Sequence, residues 1–146
     1  MGHDITAFIR TRKTKTIEPD MFFKELPETA YFRISAFNSR RRTLFYNMLE
    51  GSKVAMGGAS GLGVTLEFSV DKIEDAVANC HEFLGEPKMI KTIADEWYNA
   101  DDGMTLDELK NATVSDVEDS LEFYQTILDG YNRHRNESPE IFINYA

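Results

Sequence analysis

Apolar residues recur along this chain at two periods, and the places where the period changes mark its elements. His3 to Ile9 sets Ile5, Ala7 and Ile9 against Thr6, Phe8 and Arg10, the alternation of a strand. Tyr31 to Ala36 repeats it, with Phe32, Ile34 and Ala36 assigned to the core side. From Asn38, a good N-cap, the apolar positions Leu44, Phe45, Met48 and Leu49 fall at helical spacing until Gly51 offers a left-handed stop. Val64 to Val70 is the clearest period-two run, with Val64, Leu66, Phe68 and Val70 on one side, and predicts a strand with one buried face. Asp71, with Glu74 three residues on, caps a helix whose stripe is Ile73, Ala76, Val77, Cys80 and Leu84 and which ends at Gly85 and Pro87. Lys88 to Tyr98 is helical through Met89, Ile90, Ile93 and Trp97, and Thr105 to Leu109 adds a further turn. Ser115 and Glu118 form a capping box for the best-patterned helix, with Val117, Leu121, Tyr124, Leu128 and Tyr131 as its stripe and an end near Asn132. Glu140 to Tyr145 alternates once more and reads as a final strand closing onto the sheet.

Strands that are not regularly interleaved with helices predict an α+β fold: a small, mainly antiparallel sheet of about four strands with helices packed on one face. At 146 residues, without internal repeats or a low-complexity linker, residues 1–146 are expected to form a single compact domain. Between the strands, Thr11 to Thr16 is basic and polar and reads as an exposed loop or hairpin arm, while Pro19 and Pro27 bracket Met21, Phe22 and Phe23.

Charge changes the picture because it is uneven. The net charge is −9. Residues 1–53 hold ten Lys and Arg against six Asp and Glu, whereas residues 54–146 hold six against nineteen. An acidic second half repels phosphate backbones and anionic headgroups, so generic nucleic-acid or membrane-surface binding is disfavoured, although a local basic site in the first half stays open. The negative surface either solvates helix faces, or meets a basic partner or mimics nucleic acid. The apolar runs are far too short to cross a bilayer, and the first residues carry neither a basic nor an apolar signal region. One cysteine, Cys80, supplies neither a disulfide nor a thiolate cage, which suits a reducing cytoplasm.

Two segments invite a chemical reading. Gly57-Gly58-Ala59-Ser60-Gly61-Leu62-Gly63 resembles the glycine-rich turn of short-chain dehydrogenases, but it leads into the strand at Val64 rather than opening a helix, and the paired tyrosine and lysine of those enzymes are missing. It is then either a connector or a nest of amides for an anion. Arg40, Arg41 and Arg42 occupy the first turn of a helix, where the macrodipole disfavours cations. Either they form ion pairs with the acidic half of the chain, or, with Arg33 and Gly57, Gly58, Ser60 and Gly61, they hold a phosphorylated metabolite or nucleotide. The histidines are scattered, and the acidic run Asp95 to Gly103 misses the oxygen positions of a calcium loop, so neither a metal nor a cofactor is expected. Cys80 sits on an apolar stripe and Ser60 lacks the nucleophile-elbow spacing, so no catalytic set is assigned.

Met1-Gly2-His3-Asp4-Ile5, the strand Tyr31-Phe32-Arg33, the tetrad Asp95-Glu96-Trp97-Tyr98 and the aromatic C-terminal strand together resemble a group of small, uncharacterised proteins of tailed phages and prophages. The glycine loop and Asn99 to Thr113 depart from that group's pattern. The resemblance implies a bacterial cytoplasm and an accessory role for a viral genome, and it carries no activity onto any residue. The expectation is therefore a non-catalytic accessory protein that binds a host or phage protein, with small-ligand binding as the alternative.

Overall fold

In the computed structural model, the first strand and the last lie side by side in the middle of one antiparallel sheet. The residues described are 4–12, 30–35, 39–50, 64–99 and 103–145. Strand β1 (Asp4–Arg10) pairs with β2 (Ala30–Ser35) on one side and with β4 (Glu140–Tyr145) on the other. Strand β3 (Val64–Phe68) pairs with the free edge of β4, which gives the order β2-β1-β4-β3. The class is α+β, as the mixed periodicities require.

Side-chain alternation sorts the strand residues between the two faces. Ile5, Ala7, Ile9, Ile34, Ile141 and Ile143 enter the main core beneath the helices. On the opposite face Phe8 and Phe142, partners in the β1–β4 register, stack with ring centroids 5.6 Å apart. Thr6 and Asn144 are paired there too, and both are buried.

The helices form the other layer. Helix α1 (Ser39–Glu50) buries Leu44, Phe45, Met48 and Leu49. Helix α2 (Val70–Leu84) buries Ile73, Ala76, Cys80 and Phe83. Helix α3 (Pro87–Asn99) begins with a proline, whose missing N–H costs nothing at that position, and buries only Ala94, so it lies at the periphery. Helix α4 (Leu106–Arg133) has 28 residues, about 42 Å at 1.5 Å per residue, and packs against the other three helices and against β1, β2 and β4. An aromatic cluster ties α1 to α4: Phe45 stacks on Tyr124 at 5.1 Å and meets Phe123 edge-on at 5.4 Å, and the Tyr124 hydroxyl donates to the Phe45 carbonyl at 2.7 Å. Offset and edge-on geometries of this kind add to the area term of burial.

Three local expectations need correction. The cap of α4 is Thr105, not Ser115: the Thr105 hydroxyl accepts from Glu108 N at 3.1 Å, and Glu108 Oε1 accepts from Thr105 N at 2.9 Å. The buried face runs through Leu109, Thr113, Asp116, Val117, Ser120, Phe123, Tyr124, Ile127 and Gly130. Thr113, Asp116 and Ser120 interrupt the hydrophobic pattern there, and Thr113 is satisfied by donating to Leu109 O at 2.7 Å. Leu121, Leu128 and Tyr131, expected in the stripe, are only partly buried at its flank. Helix α2 is capped by Ser69 instead of Asp71, with Ser69 Oγ accepting from Lys72 N, because β3 stops at Phe68. Finally, β3 is an edge strand among the described residues, with no described strand on one side of it, and its central Leu66 remains 41% exposed. Asn38 and Gly51, the expected limits of α1, lie outside the described residues.

Candidate functional site

The run Arg40 to Arg42 starts α1, one residue into the helix. Arg40 turns inward: it is 7% exposed, and its Nε donates to Asp116 Oδ2 of α4 at 2.9 Å. Its Nη1 lies 3.9 Å from Met104 Sδ. Arg41 Nη2 reaches Asp119 Oδ2 at 3.1 Å, one turn further along the same helix. Arg42 is half-buried in the same turn. Burial pushes the Asp116 carboxyl above its ordinary range, and the neighbouring guanidiniums of Arg40 and Arg41 offset only part of that. Of the two readings left open for this run, internal pairing is what the geometry displays for Arg40 and Arg41.

Arg33 stands on β2 opposite Thr6. Gly57, Gly58, Ser60 and Gly61 lie outside the described residues, and so does the rest of the 57–63 loop. That part of the expected anion-binding set therefore lies outside what the structure describes, while Arg40 and Arg41 pair with Asp116 and Asp119.

Two concave regions went unrecognised in the sequence. The first is a cleft of about 410 Å³ between α1, α2 and α3, walled by Leu44, Met48, Phe83, Met89 and Ile93. Its polar rim includes Asn79, whose side-chain amide donates to Met48 O at 2.9 Å, and the oppositely charged Glu82 and Lys88. Met89 is 43% exposed at its mouth. The helical spacing of Met89 and Ile93 is legible in the sequence, but nothing in one helix's pattern says how far its stripe is covered.

The second is a polar groove of about 490 Å³ where β1 ends and α4 gives way to a short 3-10 turn (Arg135–Glu137). Thr11, Arg12, Tyr131, Arg135, Ser138 and Glu140 line it. Arg135 lies 5.6 Å from the Tyr131 ring centroid and is bonded through Nε and Nη2 to Asn132 Oδ1. Glu140 is held by Arg10 at 2.9 Å, and Arg10 in turn lies over the Phe142 ring. The basic start of Thr11 to Thr16 was visible in the sequence, but its meeting with residues 131–140 depends on the pairing of β1 with β4.

Cys80 is fully buried, and burial alone pushes its thiol up to about 12, so it stays protonated and unreactive at neutral pH. Among the described residues no three His, Cys, Asp or Glu side chains gather as a metal would need. No described helix is long and apolar enough to cross a membrane. In comparisons with known proteins, no family model, curated protein or solved structure matches the chain.

Proposed function

We propose that this protein is a non-catalytic binding protein that receives an apolar segment of a protein partner in the cleft between α1, α2 and α3. The single supporting observation is that cleft: open, apolar, and lined by two methionines, whose flexible side chains adapt to an incoming surface. Its neighbourhood adds a charge preference. Asp71, Glu74, Asp75 and Glu82 are exposed along α2, and Glu118 and Glu122 line a third, shallower groove between α2 and α4, so basic residues flanking the partner's apolar anchors are favoured. The resemblance to small phage and prophage proteins supports a bacterial host or phage protein as that partner, met in the host cytoplasm as part of an accessory role.

Capture from bacterial lysate at low and high salt, with wild type beside Met89→Glu, tests the reading. Met89 is exposed enough for the substitution to leave the fold intact while placing a charge in the cleft. A protein retained by wild type and lost by Met89→Glu is the expected result. A wild-type chain that retains no protein at either salt concentration contradicts it.

A further inference from the structure

The geometry points to a second, independent site: the groove between the end of β1 and the end of α4 binds a small phosphorylated ligand, with Arg12 and Arg135 as the groups that hold its phosphate. This site shares no described lining residue with the apolar cleft.

The local charge balance carries the argument. Among the described residues the two carboxylates beside this groove already have partners: Glu140 is bound by Arg10, and Glu137 is hydrogen-bonded to His134 Nδ1. Arg12 and Arg135 are both exposed, and among the described residues neither forms an ion pair. Two guanidiniums thus border one concavity in a chain whose net charge is −9. The C-terminal carbonyls of α4 favour a cation nearby, and Arg133 supplies one in the last turn. They do not explain two more arginines facing an open groove, one of which comes from the sheet.

The groups also suit phosphate chemically. Arg135 is held by Asn132 and by the Tyr131 ring, so little side-chain freedom is lost when its remaining N–H groups bind. Planar guanidiniums donate in pairs to phosphate oxygens, and such charge-assisted bonds are stronger than neutral ones. Ser138, in a left-handed turn with φ 52°, adds an exposed hydroxyl at the rim. A volume of about 490 Å³ lies within the usual range for small-molecule sites. The acidic second half disfavours an extended polyanion and leaves a compact one acceptable, which selects a mononucleotide or sugar phosphate over a nucleic acid.

Isothermal titration of the intact protein with inorganic pyrophosphate, ADP and a short oligodeoxythymidylate, at low ionic strength, tests this. Pyrophosphate, ADP or both should bind wild type, with the pair distinguishing a bare phosphate subsite from a nucleotide site. Arg12→Ala and Arg135→Ala should each weaken binding by about tenfold or more, and the double variant should abolish it. The corresponding Lys replacements should retain part of the affinity, and Lys91→Ala, on exposed α3, should leave it unchanged. Failure of both pyrophosphate and ADP to bind wild type overturns the proposal, as does a double variant that binds like wild type. Tighter binding of the oligonucleotide than of ADP overturns the ligand class.

Discussion

Towards the middle of α4, Asp116 and Asp119 receive Arg40 and Arg41 from α1; at its far end, Tyr131 and Arg135 share an open groove with Arg12, just beyond β1. The first group is contiguous in sequence and conspicuous, and its leading member is buried in an ion pair. The second is assembled from opposite ends of the chain and stays in contact with solvent. Contiguity therefore says little about availability. Arg40, beside a buried carboxylate, serves packing and orientation, whereas Arg12 and Arg135 form no ion pair among the described residues and border a groove.

The largest effect expected of this contrast is on stability. Arg40→Ala leaves the Asp116 carboxylate buried without its main partner, and should cost about 3–5 kcal/mol in urea unfolding at neutral pH. A loss below about 1 kcal/mol would mean that Arg40 is not anchored where the structure puts it. The cap of α4 comes next: Thr105→Ala should cost about 1 kcal/mol, while Ser115→Ala, inside the helix, should cost nothing or stabilise slightly. Arg41→Ala removes a partly exposed pair with Asp119 and should cost at most about 1 kcal/mol, less at high salt. Smallest of all, Arg12→Ala should leave unfolding within about 0.5 kcal/mol of wild type, as befits an exposed residue.

A pH series sharpens the same comparison. The Asp116 pKa is raised in the folded state, so the native protein holds that proton more tightly than the unfolded chain does. Its contribution to stability is fully present below the ordinary value of 3.8 and is lost as pH rises through the raised folded value. The stability of wild type relative to Asp116→Asn should accordingly fall with rising pH across that window and then level off. A difference that grows with pH would show that the Arg40 pairing outweighs burial.

Much of the fold was legible because alternation and helical spacing register burial directly. Strands β1, β2 and β4 and helices α1, α2 and α3 appear within a few residues of their expected places. What escaped has a common physical origin in long-range pairing. Val64 to Val70 has the cleanest alternation, yet β3 lies at the edge, and no local pattern reveals that β4 enters between β1 and β3. The true start of α4 was hidden by Thr113, Asp116 and Ser120, polar residues on its buried face. Thr113 is satisfied by Leu109 and Asp116 is paired with Arg40, which lets both stand on the buried face while breaking its hydrophobic pattern. The anion-binding set expected at Arg33, Arg40 to Arg42 and the glycine loop rested on residue type and on position at a helix start, and its loop lies outside the described residues. The groove at Arg12 and Arg135 requires the β1–β4 register before it exists.

A double-mutant cycle on Arg40 and Asp116 probes the division between the two arginine groups most directly. Unfolding free energies of wild type, Arg40→Ala, Asp116→Ala and the double variant should yield a coupling energy of about 1–3 kcal/mol, with the double variant more stable than the two single losses would sum to. Coupling within about 0.3 kcal/mol of zero would contradict it, leaving Arg40 free of Asp116 and removing the distinction between the conspicuous arginines and the assembled ones.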